Sequence, residues 1–397
     1  MQRRKFIQTS GLATAAMMIP NFLKAQESLS ALKTDKILIV IQLTGGNDGL
    51  NTVIPFENDL YYNARPQISI QKKEVLKLNN ELGLNPVMQG FKELHDEGKL
   101  TVINNVGYPE PDRSHFRSMD IWQTASKSNE YKTTGWLGRY LDEKCNVCDK
   151  PTQVLEIDDT LSLALKGNNV KGLAMKDPKR LYGTTLDPYI NQLSRQHIIG
   201  DHEHDNAEYS YKTLAETVSS AAYIYQTSKI YKSAANYPNH QFGKSMKTIS
   251  ELIISGVNTN VYYVSLGSFD THFNQQKRQA DLLQQLSETV KIFMDDLKTS
   301  GKQDDVMLMT FSEFGRRVNE NASGGTDHGT ASQMFLIGNN LKKKGIYNSA
   351  PNLSDLDDGD LKFSVDFKNV YATILKKWLN IDEQIVLGNK YPYLDFI

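Results

Sequence analysis

The residues best suited to chemistry are carboxylates and histidines that lie close to short apolar runs of the chain. These candidates are Asp48, Asp270, His272, Glu313, Asp327 and His328. Carboxylates that converge repel one another unless a cation neutralises them. Carboxylate oxygens combined with imidazole nitrogens suit Zn, Mn or Fe, whereas an all-oxygen subset suits Ca or Mg. The residue types therefore predict a site for one or more divalent metal ions, whose identity stays open.

Convergence of these side chains requires that the apolar runs be strands of one sheet. Short, mostly apolar runs occur at 36–43, 100–103, 153–157, 261–266, 306–311 and 334–337. Such runs are typical of strands buried on both faces of a parallel sheet. Apolar residues recur with helical spacing at 86–97, 114–124, 207–231, 243–254, 275–299 and 369–379. This alternation predicts an α/β fold with a mostly parallel sheet sandwiched by helices, and chemistry at the carboxyl ends of the strands.

The charge balance and the cysteine usage narrow the class of protein. The 397 residues include 45 basic and 46 acidic side chains, for a formal net charge of -1. This balance predicts no nucleic-acid partner and no attraction to an anionic membrane surface. No apolar run of the mature part reaches membrane-spanning length. Cys145 and Cys148 form a C-x-x-C pair, which we interpret as a local disulfide or two free thiols, with a redox centre as the alternative.

The first residues have the pattern of an export signal. Arg3 and Arg4 stand at the start of the chain, as in twin-arginine signals. The mildly apolar stretch at 11–23 is too short to span a bilayer, and Ala25 offers a weak small-residue cleavage site. We therefore predict a signal peptide at 1–25, transport by the twin-arginine translocase, and a periplasmic or otherwise exported mature protein.

Six short motifs together resemble one bacterial family. They are Q-L-T-G-G-N-D-G-L-N at 42–51, R-S-H-F at 113–116, G-W-L-G-R-Y at 135–140, F-D-T-H at 269–272, S-E-F-G-R at 312–316 and T-D-H-G at 326–329. As a set they resemble the family called domain of unknown function 1501, which commonly carries a twin-arginine signal and has no firmly assigned activity. The family is grouped with the alkaline phosphatase and sulfatase superfamily. The resemblance implies a single alkaline-phosphatase-like domain over 36–397, with metal ligands at the strand ends.

The resemblance also implies roles for individual residues. The superfamily places an acid after its first strand, which matches Asp48. It places an acid and a histidine after a central strand, which resembles Asp270 and His272. The next strand of the superfamily ends in Ser-Asp-His-Gly, whereas this chain keeps the acid as Glu313 and has Phe314 in place of the histidine.

Two alignments remain open for the last histidine of the superfamily. In the alignment that we prefer, Glu313 is the acid after the strand and His328 is the last histidine. In the other alignment, Asp327 and His328 are the acid–histidine pair and the last histidine is missing. Either alignment leaves one usual ligand absent, which argues against a complete two-metal site.

Two functions compete at this point. The first is a metal-dependent hydrolase of phosphate or related esters, acting on a small anionic substrate with Ser114 as an unmodified nucleophile near a helix start. Arg113, Arg117 or Arg316 would hold the anionic group, and an ordinary N-cap is the alternative role for Ser114. The second function is a non-catalytic envelope binding or assembly protein with a degenerate site, which the missing ligand favours.

Overall fold

The computed structural model describes residues 36–144, 152–196 and 205–397. The strands are β1 (Ile37–Leu43), β2 (Val53–Ile54), β3 (Leu76–Lys77), β4 (Gly83–Leu84), β5 (Leu100–Gly107), β6 (Val154–Glu156), β7 (Leu173–Ala174), β8 (Val261–Leu266), β9 (Val306–Phe311), β10 (Ser332–Ile337), β11 (Gly345–Ile346), β12 (Leu356–Asp357), β13 (Asp360–Leu361) and β14 (Val365–Asp366).

The α-helices are α1 (Gly49–Thr52), α2 (Asp59–Ala64), α3 (Gln89–Asp96), α4 (His115–Thr124), α5 (Trp136–Lys144), α6 (Pro178–Thr185), α7 (Pro188–Gln196), α8 (Asp205–Thr227), α9 (Gln241–Ile254), α10 (Gln275–Thr299), α11 (Phe367–Thr373) and α12 (Glu383–Leu387). Short 3₁₀ turns occur at Leu163–Leu165 and Gln303–Asp305, and a π-helix at Ile374–Trp378 directly continues α11. No helix within the described ranges is both long enough and apolar enough to cross a membrane.

One large sheet organises the described chain, in the strand order β11-β5-β10-β9-β1-β8-β6-β7, with β14 also paired to β5. Neighbouring strands run parallel, except that β10 is antiparallel to both β5 and β9. The mostly parallel sheet predicted from the sequence is therefore confirmed.

Alternate residues of the central strand β1 pack into separate hydrophobic cores. Leu38 and Val40 belong to a core that includes side chains of α4, α5 and α11. Ile39 and Ile41 belong to a second core, on the other face, with side chains of α3, α9 and α10. Because successive strand residues point to opposite faces, this division shows helices covering both sides of the sheet. It explains why β1 is almost uniformly apolar.

The direction of β10 determines which loop reaches the carboxyl edge of the sheet. In a parallel strand, the loop before the strand would lie at the opposite edge. Because β10 runs antiparallel to β9, its first residue, Ser332, lies near the end of β5, opposite Val106. The preceding loop, which contains Asp327 and His328, therefore comes to the same edge as the turns that follow β1, β8 and β9.

Most predicted helices have the expected extent. The segment predicted at 275–299 is α10, with identical bounds, and the segment predicted at 369–379 is α11 together with the π-helix. Helices α6 and α7 were not predicted, although each begins with a proline at its first position, which favours a helix start. The predicted signal peptide at 1–25 and the Cys145–Cys148 pair lie outside the described residues.

Candidate metal centre

Three imidazoles gather around the carboxylate of Asp270, which follows β8. Oδ1 of Asp270 is 3.0 Å from Nε2 of His272 and 3.3 Å from Nε2 of His328. The same oxygen is 3.6 Å from Nε2 of His115, the first residue of α4. The Nε2 atoms of His272 and His328 are 3.1 Å apart. In a tetrahedral site with metal–ligand bonds of about 2.0–2.1 Å, neighbouring ligand atoms are about 3.3 Å apart, so these spacings match atoms that share one ion.

The hydrogen bond behind the His115 ring determines which of its nitrogens is free. Nδ1 of His115 is 2.8 Å from Oε1 of Glu313, a fully buried carboxylate that also accepts from the backbone N–H of Gly45 at 2.7 Å. Because an ionised carboxylate only accepts, Nδ1 carries the proton and Nε2 keeps a lone pair. That Nε2 is buried and has no hydrogen-bond partner within the described ranges. The hydrogen bond to Glu313 also raises the pKa of His115.

The other two histidines are oriented in the same way. Nδ1 of His328 donates to the backbone carbonyl of Arg113 at 2.8 Å, and Nδ1 of His272 donates to Oδ1 of Asp327 at 3.2 Å. Their Nε2 atoms are therefore the free nitrogens. Burial lowers the pKa of His328, which favours the neutral ring that a metal requires. An acceptor behind each imidazole is the usual arrangement of metal-binding histidines.

The cluster is compact, and it is open to solvent on one side. One ligand atom from each of His115, Asp270 and His328 lies within 4.8 Å of the others. The side chain of Asp270 is 47% exposed, so water or a substrate can reach the centre of the cluster. Metal sites that act on a substrate keep such an accessible position, whereas structural zinc sites are closed.

Arg316 contacts this cluster through a hydrogen bond to Asp270. Its buried guanidinium donates to the carbonyl of Gly46 at 2.7 Å, to the carbonyl of Thr326 at 2.9 Å and to Oδ1 of Asp270 at 2.6 Å. Burial acts to raise the pKa of Asp270, but the hydrogen bond and charge of Arg316 outweigh it and lower that pKa to about 2. The predicted catalytic role of Arg316 must therefore be corrected, because its guanidinium is buried among protein acceptors. Its place is that of a positioning residue that holds Asp270 ionised.

Asp48 lies apart from the three imidazoles, although it was predicted as a ligand. Its side chain is buried, and Oδ2 forms an ion pair with Nη1 of Arg65 at 2.6 Å and accepts from Gln275. Oδ1 accepts from the backbone N–H of Leu50 at 3.2 Å, which caps α1. The charge of Asp48 is thus neutralised by a guanidinium, and we leave it out of the candidate ligand set. The sequence did not reveal this pairing because Arg65 lies in an irregular segment after α2.

Glu313 and Asp327 were also predicted as ligands. Both carboxylates lie behind a histidine, at the Nδ1 side of His115 and of His272, where each accepts a hydrogen bond that fixes the ring. This places them in supporting positions around Asp270, His272 and His328, the predicted ligands that do converge.

Ser114 precedes α4 as its N-cap residue. Its side chain is exposed and makes no capping hydrogen bond to any residue that the structure describes. The alternative role as an ordinary side-chain cap is therefore not what the geometry favours. Arg113 pairs with the buried carboxylate of Asp360, and Arg117 donates to backbone carbonyls, among them that of Ser128 at 2.9 Å. Like Arg316, the other two arginines predicted to hold an anion are thus already engaged with protein groups.

His115 is the functional candidate that the site prediction missed. It belongs to the R-S-H-F motif at 113–116, but the only functional role predicted at that helix start was that of Ser114 as nucleophile. The available signal was its place within this motif, at the start of the helix predicted at 114–124. Its acidic partners, Glu313 and Asp270, are more than 150 positions away, so only the fold brings them to it.

Comparisons with known proteins give one sequence family and several structural similarities. The family model described as "Protein of unknown function (DUF1501)" matches residues 35–390. No curated protein matches the chain in sequence. The PsFucS1 sulfatase from Pseudoalteromonas sp. is similar at 9% identity, covering 93% of this chain and 72% of that chain, with a TM-score of 0.42.

Two further solved structures resemble the chain to a similar degree. The phosphonate monoester hydrolase SpPMH from Silicibacter pomeroyi has 8% identity, covering 90% of this chain and 77% of that chain, with a TM-score of 0.40. A protein in the alkaline phosphatase superfamily from Vibrio parahaemolyticus has 10% identity, covering 90% of this chain and 70% of that chain, with a TM-score of 0.36. At such identities, the chemistry of the site has to be derived from the side chains of this chain.

Proposed function

Because the chain belongs to the DUF1501 family of proteins of unknown function, we propose its function from its own site: metal-dependent hydrolysis of a phosphate or related ester, with Ser114 as nucleophile. The observation that carries the proposal is the convergence of the Nε2 atoms of His115, His272 and His328 on Asp270. Each ring has an acceptor at Nδ1, so each Nε2 lone pair lies on the side of Asp270. Among these groups, His115, Asp270 and His328 offer ligand atoms that all lie within 4.8 Å of one another.

The charges around this point favour a divalent cation. Three carboxylates, those of Asp270, Glu313 and Asp327, surround three imidazoles, and the nearest compensating charge is the guanidinium of Arg316. Counted formally, the group has two negative charges in excess while its histidines are neutral. A divalent ion would balance this charge, and nitrogen with oxygen ligands suit zinc or manganese.

The exposure of Ser114 and its place next to the cluster residue His115 support its proposed role as the nucleophile. Its hydroxyl is not used as a helix cap. The first N–H groups of α4 have no intrahelical acceptor and carry the positive end of the helix dipole, which favours the ionised hydroxyl and an anionic ester beside it. A bound divalent ion supplies further positive charge for the ester oxygens. Attack by the Ser114 oxygen on phosphorus would form a phosphoserine ester as the bond to the alcohol oxygen breaks, and the hydroxyl proton would pass to the departing alcohol. Water would then hydrolyse the phosphoserine ester, releasing phosphate and regenerating the serine.

We also propose that the mature protein is exported through the twin-arginine route. The Arg3–Arg4 pair and the mild apolar stretch after it support this proposal. Folding before transport is compatible with acquiring a metal in the cytoplasm.

Metal content tests the site directly. Protein purified without chelator should contain about one equivalent of a divalent metal by elemental mass spectrometry. His115→Ala and His328→Ala should lose most of it, because each removes one of the converging nitrogens. His95→Ala is the matched control, since His95 contacts Asp96 on α3 and lies outside the cluster. Wild-type metal content in both site variants would contradict the proposal.

Turnover tests the hydrolase function separately. The metal-loaded protein should release 4-nitrophenol from 4-nitrophenyl phosphate or its diester, and Ser114→Ala should reduce turnover to background while keeping the metal. Ser354→Ala is the control, because Ser354 is exposed and its hydroxyl donates to Asn352. If Ser114→Ala retains full activity, the nucleophile is misassigned. If the wild type binds metal but hydrolyses no ester with Zn, Mn, Mg or Ca, the binding or assembly function replaces the enzyme.

A further inference from the structure

A cavity of about 290 Å³ adjoins the candidate metal centre. Phe314 forms part of its wall, and the centroid of the same ring lies 4.9 Å from that of His115 and 4.7 Å from that of His328. The cavity and the histidine cluster therefore share one aromatic side chain. A substrate bound at the cluster can extend past Phe314 into this cavity.

The lining of the cavity is mainly aromatic and aliphatic. Besides Phe314, the side chains that define it include those of Tyr108, Trp122, Leu361 and Phe363. Apolar cavities of about 150 Å³ are large enough for benzene, whereas whole ligands usually occupy about 300–1,000 Å³. The cavity therefore has room for a substituted aromatic ring, and it fits one part of a ligand better than a whole one.

One polar group of the lining lacks a partner. Trp122 is only 3% exposed, and its Nε1–H has no acceptor among the residues that the structure describes. The neighbouring polar groups are already used, since Tyr108 shares a hydrogen bond with Ser118 at 2.8 Å and Thr330 donates to a backbone carbonyl at 2.6 Å. A buried donor without an acceptor is costly, so an oxygen of a bound group would satisfy it.

We infer that this cavity is a subsite for an uncharged aromatic alcohol moiety of the ester, with an oxygen substituent that accepts from Nε1 of Trp122. The inference rests on the proposed function, because it assigns the leaving group of the same reaction. A sugar ring fits less well, since its several hydroxyls would meet a single unpaired buried donor. The exposed charged residues of the lining are Glu110, Asp357 and Lys362. Because Lys362 already pairs with Asp355, the two carboxylates would disfavour an anionic leaving group.

Binding of the alcohol alone tests the subsite without any turnover. The probe is 4-nitrobenzyl alcohol, measured by isothermal titration calorimetry on the full-length protein. Phe363→Ala should weaken binding about tenfold, since it removes one aromatic wall. Phe363 is 38% exposed, so the variant should fold. Tyr189→Ala, an exposed aromatic residue on α7, is the matched control and should bind as the wild type does. No binding to the wild type at millimolar probe, or equal binding by Phe363→Ala, would overturn the subsite.

The role of Trp122 requires a matched pair of ligands. Trp122→Phe should weaken the binding of 4-nitrobenzyl alcohol several-fold and leave the binding of 4-methylbenzyl alcohol unchanged. Both compounds share the hydroxyl, and only the nitro compound has a further acceptor on the opposite side of the ring. An equal loss for both compounds would overturn the hydrogen-bond assignment.

Ester kinetics then separate the subsite from the proposed function. Phe363→Ala should lower kcat/KM for 4-nitrobenzyl phosphate about tenfold and leave methyl phosphate hydrolysis unchanged. If both esters are hydrolysed and the variant affects them equally, the subsite fails while the hydrolase stands. If the alcohol binds as expected but no ester is hydrolysed, the cavity is a ligand site and the proposed function fails.

Discussion

Replacing Glu313 by glutamine should weaken metal binding by about tenfold to a hundredfold while leaving the ligands in place. One oxygen of Glu313 accepts from both the Gly45 N–H, at 2.7 Å, and Nδ1 of His115, at 2.8 Å. The other oxygen lies 3.3 Å from Oγ of Ser312. Glutamine can keep both acceptor contacts through its carbonyl and place its amide towards Ser312. The proton of His115 then stays on Nδ1, and only the negative charge behind the ring is lost.

The magnitude follows from that lost charge. Mutation of the group that hydrogen-bonds to a metal-binding histidine typically costs about 10- to 100-fold in metal affinity, which corresponds to about 1.4–2.7 kcal/mol. Glu313→Ala should cost more than Glu313→Gln, because it also leaves the buried N–H of Gly45 without its acceptor.

The pH dependence of binding gives a second, independent signature. The hydrogen bond to Glu313 raises the pKa of His115 above its ordinary value of 6.5. In the metal-free protein, the hydrogen bond to Glu313 thus stabilises the protonated His115 ring at pH values below this pKa. This stabilisation is lost as the pH rises through the raised pKa. Protonation competes with the metal, so Glu313→Gln should bind more weakly at pH 8 and approach wild-type affinity at pH 6.

The assay is competition with a chelator of known affinity at pH 8 and pH 6. Glu320→Gln is the matched control, because Glu320 accepts from the backbone N–H groups of Gln67 and Ile68 away from the cluster. Wild-type affinity of Glu313→Gln at pH 8, with the control also unchanged, would refute the role given to the carboxylate.

Three other predictions concern stability and export. Burial raises the pKa of Glu156 to about 7, above the ordinary 4.5. The free energy of unfolding should therefore fall as the pH rises from about 4.5 to 7. In urea unfolding, Glu156→Gln should be more stable than wild type by about 3 kcal/mol at pH 8 and equally stable near pH 4. A destabilised variant at pH 8 would contradict this. Arg65→Met should lower the free energy of unfolding by about 3–5 kcal/mol, because it leaves the buried Asp48 unpaired. Its metal content should be unchanged, and a loss of metal would return Asp48 to the ligand set. Changing Arg3 and Arg4 to lysine should retain the precursor in the cytoplasm on immunoblots of cell fractions, and normal export would refute the signal.

The sequence predicted the layers of the fold well because each layer leaves a local pattern. The run at 36–43 is apolar at almost every position because alternate residues enter different cores, as Leu38 and Ile39 do. The helix at 275–299 shows its buried face through its spacing. Neither pattern indicates the direction in which a strand runs within the sheet. The antiparallel orientation of β10 was therefore seen only in the structure.

The site was predicted in part, for a related physical reason. His328 reaches the carboxyl edge of the sheet only because β10 is antiparallel to its neighbours. For Asp270 and His272, position at a strand end predicted that edge from the fold class alone. It did not distinguish a carboxylate that faces the centre from one that pairs with a buried arginine, as Asp48 does. It also gave no weight to His115, whose partner Glu313 is distant in the chain.

The place of β10 between β5 and β9 has a consequence for the order of folding. β10 is the last long strand in the chain, and in the sheet it is the connection between β5 and the strands β9, β1 and β8. Until it inserts, His328 has no fixed position, and the contacts that close the sheet are separated by more than 200 residues along the chain. Such distant contacts form late and slowly. Tight metal uptake should therefore lag behind helix formation during refolding, and the metal would then stabilise only chains whose sheet is complete.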